Sequence, residues 1–221
     1  MTWILFVILG IVHMFTIYHG DFWIIFGTKA FLMPLAAISL ARDAGLVRPH
    51  VRMVFIGLWF GWLGDVLLHF SHLAAFASGL VAFLMGHIFY IRAFHAECKV
   101  SRVVPFVMDK PYLILPYAAF FIYIIVLLNG SLDSVMKGPV YLYCFVILLM
   151  SLMAASRFYA VSRSSWWLVF VGSILFVASD FVLAVNKFRE SVPYARYIIM
   201  STYIAGQGLI AYGTAVMYKN K

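Results

Sequence analysis

The stretches GLWFGWLGDVLLHF (57–70) and GSILFVASDFVLAV (172–185) decide how this chain is read. Both are apolar runs of the kind that cross a bilayer, and each carries one acid, Asp65 or Asp180. Each acid follows a small residue, Gly64 or Ser179, with a glycine further back, so one short pattern, G-x-x-[GS]-D or a near variant, occurs twice. A carboxylate at membrane depth costs several kcal/mol, which makes an intramembrane acid a functional-site candidate by default. Two acids, far apart in sequence but similarly set in their helices, point to one shared site.

The composition agrees with a membrane setting. Of 221 residues, 65% are hydrophobic and 11% charged, where a soluble domain carries about 25% charged and 45–50% apolar residues. The spans leave no room between them for a water-soluble domain. The apolar start MTWILFVILGIVHMF (1–15) lacks a basic leader and a small-residue cleavage site, so it reads as the first span and not a signal peptide. The net charge of +8 sits in short loops at the ends of apolar runs. There it meets anionic lipid and sets orientation, and it gives no case for nucleic-acid binding. Cys98 and Cys144 have no C-x-x-C spacing, so neither a disulfide framework nor a cysteine metal site is indicated.

At about 20 residues per span, the chain divides into eight helices of one transmembrane domain covering 1–221. They run roughly 2–18, 22–40, 51–70, 74–95, 112–129, 138–157, 165–186 and 195–218. Turn and charge signals separate them, including His19-Gly20-Asp21, Asn129-Gly130-Ser131 and a long loop from Glu97 to Pro111. A tight link at 71–73 makes the third and fourth helices antiparallel neighbours. The expected fold class is all-α, a polytopic membrane helix bundle.

The basic residues orient it. Arg42, Arg48, Arg52, Arg92, Lys99, Arg102, Lys110, Arg157, Arg163, Lys219 and Lys221 fall on one side; Lys137, Lys187, Arg189 and Arg196 fall on the other. Eleven against four predicts both termini in the cytoplasm. The third and seventh helices then run outward, and Asp65, Asp180 and Lys29 share a level in the outer half of the bilayer. His87 and Gln207 lie nearer the midplane. Both follow a glycine, Gly86 or Gly206, in the helix after each aspartate, which suggests a parallel repeat of four plus four helices. Lys29 has no visible counterpart in the sixth helix.

Each polar residue has a structural and a functional reading. The aspartates are either a helix-locking buried pair or a catalytic one. Hydrocarbon disfavours a charged carboxyl and a nearby cation favours it, so two acids in different surroundings can serve as general acid and general base. Lys29 either snorkels to the interface or pairs with an acid and holds an anionic group. His69 and His72 follow Asp65 by four and seven residues; the spacing permits a divalent metal, but edge histidines are usually solvated. His87 with Tyr90, and Gln207 with Tyr203, either join helices or line a site. No G-x-G-x-x-G, P-loop, G-x-S-x-G or H-E-x-x-H occurs.

In these residues the chain resembles the lysoplasmalogenase, or YhhN-like, family of small multispan membrane proteins. The matching stretches are Thr28-Lys29 to Pro34, G-x-x-G-D-x-x-L at Gly61 to Leu68, and Phe76, Gly79, Phe83, His87 and Tyr90 in one helix. The second half adds G-x-x-L-F-x-x-S-D-x-x-L-A at Gly172 to Ala184 and Y-x-x-x-Q-x-L-I at Tyr203 to Ile210. Ala30 stands where the family's lysine is typically followed by proline, which bears on a kink in the second helix. The resemblance implies hydrolysis of the vinyl-ether bond of lysoplasmalogen to a fatty aldehyde and a glycerophospho head group, with no metal and no cofactor. Asp65 and Asp180 are then the acid–base pair, in an unassigned order. Lys29 tunes one of them or meets the phosphate, while His87, Tyr90, Tyr203 and Gln207 support. Expected partners are a lysophospholipid substrate and membrane lipid, and the expected location is a bacterial inner membrane. A proton-coupled transporter of small molecules or lipids, and a metal-dependent membrane lipid hydrolase, are the rival readings.

Overall fold

Local chemistry sets the first helix boundaries. α1 (Thr2–His19) ends at Gly20, whose φ of 76° is the left-handed conformation that glycine adopts freely. Asp21 then caps α2 (Phe22–Ala44), its carboxylate accepting from the Trp23 and Ile24 amides at 3.0 Å each. The computed structural model describes residues 1–70 and 72–218, all of whose regular structure is helical. The order continues with α3 (Pro49–Leu68), α4 (Leu73–Val100), a short α5 (Phe106–Asp109), α6 (Ile114–Leu128), α7 (Ser134–Ser156), α8 (Arg163–Phe188) and α9 (Ala195–Val216). Ser71 of the predicted link, and Lys219 and Lys221 of the orientation count, lie outside the described residues.

Among the described residues, seven helices are long and apolar enough to cross a membrane. α9, with 22 residues, has the length of an eighth span at about 33 Å. Its apolar character is diluted by Tyr203, Gln207 and Thr214, all buried inside the bundle.

Two helix crossings organise the molecule. In the α3–α4 pair, a methyl group on Gly57 would lie 3.1 Å from the Gly86 carbonyl oxygen, and one on Gly86 would lie 3.1 Å from that of Gly57. In the α8–α9 pair, Gly172 and Gly206 meet in the same manner at 2.8 and 2.9 Å. Small residues let membrane helices approach this closely, and these are the two most extensively packed pairs. Each aspartate follows the first glycine of its crossing by eight residues, so both sit about 12 Å along their helices from the crossing. The halves also exchange partners. α2 packs beside α3 and on α9, and α7 packs beside α8 and on α4.

Pro34 sits inside α2 and cannot donate to the Ala30 carbonyl. The Trp62 indole N–H of α3 donates to that carbonyl instead, at 3.0 Å. The freed backbone acceptor thus ties α2 to α3 next to Lys29.

The predicted loop from Glu97 to Pro111 needs correction. α4 runs on to Val100, because Glu97 is paired there with Arg157. Arg157 is fully buried, with Ser165 at 3.1 Å and the Phe94 ring 5.0 Å from its guanidinium carbon. The sequence places it among the loop cations that orient the chain. A buried partner instead removes it from contact with lipid head groups. Charge neutralisation lets the helix continue where composition alone suggests a break.

Candidate active site

The two aspartates occupy equivalent places but have different surroundings. Asp65, 2% exposed, has both oxygens engaged: Oδ1 lies 3.1 Å from the Lys29 ammonium, and Oδ2 accepts from the Tyr203 hydroxyl at 2.7 Å. Lys29 itself is 15% exposed, so it is an ion-pair partner and does not snorkel freely to the interface. Gln207 extends the cluster, accepting from the Tyr90 hydroxyl at 2.7 Å. Its amide and the Tyr203 hydroxyl both come close to Gly61, which has no side chain to obstruct them. The Tyr90 ring crosses directly over Gly57, where a methyl group would lie 2.4 Å from its edge.

Among the described residues Asp180 has no ion-pair partner. Its Oδ2 accepts a short hydrogen bond from the Tyr143 hydroxyl of α7, and the Tyr143 hydroxyl oxygen also meets His87 Nε2 at 3.0 Å. The single hydroxyl proton of Tyr143 goes to Asp180, so His87 Nε2 carries the hydrogen and donates to Tyr143. This fixes the imidazole tautomer and leaves His87 Nδ1 as a buried acceptor without a partner. Among the described residues Asp180 Oδ1 has no hydrogen-bond partner. Asp180 is half-buried because it faces a narrow cleft between α4, α6, α7 and α8. The lining is otherwise almost wholly apolar, and Asp65 takes no part in it.

The two clusters communicate. Asp180 lies close enough to feel the charges of Asp65 and Lys29. Between them stand Phe83 and Phe176, packed edge-on against the Tyr203 ring at centroid distances of 5.9 and 5.4 Å; Phe176 also meets the His87 ring at 4.8 Å.

All seven sequence-derived site residues therefore fall in this region, in two groups. Lys29, Asp65, Tyr90, Tyr203 and Gln207 form one, and His87 with Asp180 belongs to the other. Sequence reasoning missed Tyr143, which joins His87 to Asp180. The signal was its depth: tyrosines favour the membrane interface, whereas Tyr143 is ten residues into α7 and buried. It also missed His13, whose Nδ1 meets the Thr28 hydroxyl at 2.8 Å, one residue from Lys29.

The candidate metal histidines do not assemble. The His69 ring lies against Phe22 and Phe26 at 4.2 and 4.9 Å, while His72 is exposed at the start of α4. Among the described residues no three His, Cys, Asp or Glu side chains form a metal-binding group.

A helical membrane bundle with two intramembrane carboxyls, one of them lining an apolar cleft, defines a class of polytopic membrane protein with buried acids. The chain belongs to the YhhN family, whose pattern it matches over residues 24–214. It is 30% identical to lysoplasmalogenase TMEM86A of Homo sapiens over 177 residues, 78% of this chain and 70% of that protein. Human lysoplasmalogenase TMEM86B is 32% identical over 148 residues, covering 67% of this chain and 57% of that protein. The Mus musculus TMEM86B is 36% identical over 150 residues, again 67% and 57%. No solved structure matches.

Proposed function

We propose that this protein is a lysoplasmalogenase, hydrolysing the vinyl-ether bond of a lysophospholipid to a fatty aldehyde and a glycerophospho head group. Asp180 gives the proton and Asp65 remains ionised. One observation carries the assignment: both Asp65 oxygens are satisfied, one by an ammonium, whereas among the described residues Asp180 has no ion-pair partner, keeps one oxygen without a hydrogen bond, and lines an apolar cleft. Two carboxyls with divergent surroundings can be held in opposite protonation states, one as proton donor and one as fixed negative charge.

In the proposed reaction Asp180 protonates the vinyl carbon remote from oxygen, leaving an oxocarbenium ion at the carbon bonded to oxygen. Water adds to that carbon, and the proton it sheds returns to the Asp180 carboxylate. The resulting hemiacetal breaks its bond to the glycerol oxygen, which takes the hydroxyl proton as the aldehyde forms. Glycosidases meet a similar cationic transition state with two carboxyls. Asp65 contributes negative charge to the cation across the Phe83–Phe176 layer, and Lys29 holds it ionised. His87 orients Asp180 through Tyr143; Tyr90 and Gln207 brace the Tyr203 side of Asp65. Catalysis of this form draws on no metal or cofactor.

The same reading includes a topology, with both termini in the cytoplasm of a bacterial inner membrane and the cleft mouth toward the outer leaflet. The test uses purified Asp180→Asn and Asp65→Asn proteins with aldehyde release as readout. Asp180→Asn is expected to lose at least a thousandfold, since asparagine has no proton to give, and Asp65→Asn at least tenfold. Wild-type release from either variant overturns the assignment. Substrate flux into liposomes without aldehyde release returns the case to a transporter.

A further inference from the structure

The cleft that Asp180 faces has a defined shape. It begins where Phe76 of α4 meets Phe188 of α8, ring centroids 5.5 Å apart and edge-on. It passes Asp180 and Tyr143 and ends against Leu148 and Val177. Its rim is basic. The Lys187 ammonium rests 5.3 Å from the Phe76 ring centroid. Arg189 donates to the Leu127 carbonyl of α6 at 2.6 Å, which ties the rim together, and carries Glu190 at 3.8 Å. The ion pairs of the described residues leave Lys187 out. A cation seated on an aromatic face at the mouth of an apolar cleft is complementary to an amphiphile with an anionic head.

The spacing narrows the ligand. Lys187 follows Asp180 by seven residues on one helix, about 10 Å along its axis. In a lysophospholipid with its chain at the first glycerol carbon, six bonds separate phosphorus from the first carbon of the chain, about 7 Å when extended. A flexible lysine side chain spans the difference. A phosphate on Lys187 would therefore set the ether linkage beside Asp180, with the hydrocarbon running on toward Leu148.

We infer that this cleft is the lipid site and that Lys187 is its phosphate anchor. The ligand is a single-chain phospholipid that comes in from the outer leaflet, phosphate at the rim and ether at Asp180. This rests on the proposed lysophospholipid substrate and names the residue that selects its head group. It also releases Lys29 from that task, since Lys29 is committed to Asp65.

Two measurements on the full-length protein test it. The first compares KM for a lysoplasmalogen with KM for the corresponding 1-alkenylglycerol, which has no phosphate. Lys187→Gln is expected to raise KM for the phospholipid about tenfold with kcat within about twofold, to leave the alkenylglycerol unchanged, and to be rescued by Lys187→Arg. The second is binding of a saturated 1-alkyl lysophospholipid, which has the ether and no vinyl bond. Its Kd is expected to weaken about tenfold in Lys187→Gln, and binding is expected to be lost in Cys144→Trp, which fills the cleft. Equal effects on phosphorylated and phosphate-free ligands, or none on either, overturn the anchor. Lys187-dependent binding without aldehyde release would leave this site standing and sink the reaction; aldehyde release with a KM insensitive to Lys187 would do the reverse.

Discussion

Tyr143→Phe is the sharpest single perturbation of the proposed mechanism, because it keeps the ring and removes only the oxygen between His87 and Asp180. As Asp180 gives up its proton, the bond from Tyr143 changes from one to a neutral acid into one to a carboxylate. A hydrogen bond to a neutral group contributes about 1 kcal/mol net and one to a charged group about 1.5–3 kcal/mol. The difference, about 0.5–2 kcal/mol, is stabilisation gained only on the way to the transition state. At 1.36 kcal/mol per tenfold, its loss lowers kcat roughly 2- to 30-fold. KM should change little, since the chain-binding walls of the cleft stay intact. His87→Leu acts through the same oxygen, so adding it to Tyr143→Phe should cost less than about twofold more, although His87→Leu alone should lower kcat. The assay is steady-state aldehyde release with purified, folded protein. An unchanged kcat in Tyr143→Phe, or full additivity with His87→Leu, would refute the relay and with it the choice of Asp180 as proton donor.

Two further outcomes follow from the same contacts. Removing one member of the buried Glu97–Arg157 pair strands the other: Glu97→Gln or Arg157→Met should destabilise by about 3–5 kcal/mol in thermal or denaturant unfolding, while the Glu97→Leu/Arg157→Met double variant should recover much of that loss. Phe83→Tyr adds a hydroxyl on the Asp180 side of the bundle, in the position equivalent to Tyr203; by offering Asp180 Oδ1 a donor it should lower kcat about tenfold or more while leaving the Asp65–Lys29 pair and overall stability intact.

The sequence carried the spans, the acid pair and its supporting residues because each has a one-dimensional signature. Apolar length marks a span, and an aspartate inside one is conspicuous whatever surrounds it. The division of those residues into two clusters has no such signature. Tyr143 reaches Asp180 only through the register of α7 against α8, a property of packing that no local pattern encodes. Arg157 and Glu97 are 60 positions apart; each alone resembles a solvated loop charge, and only their pairing makes them core. Trp62 likewise reads as an interfacial aromatic until Pro34 leaves Ala30 in need of a donor.

Comparison of the halves explains why one acid is closed and the other open. Three residues before Gly206 stands Tyr203, whose hydroxyl satisfies Asp65; three residues before Gly86 stands Phe83, which has no hydroxyl to offer Asp180. The helix beside each acid differs as well, α2 contributing the Lys29 ammonium and α7 the neutral Tyr143 hydroxyl. The lysine's missing counterpart in the second half is thus a tyrosine. With the glycine crossings and aspartate positions held in common, these two exchanges leave one carboxyl ion-paired and covered and the other without an ammonium and lining the cleft. A symmetric bundle with lysine and tyrosine on both sides would hold two stable ion pairs and no proton donor. The asymmetry at positions 29, 83, 143 and 203 is therefore what separates the proposed proton donor from its ion-paired counterpart.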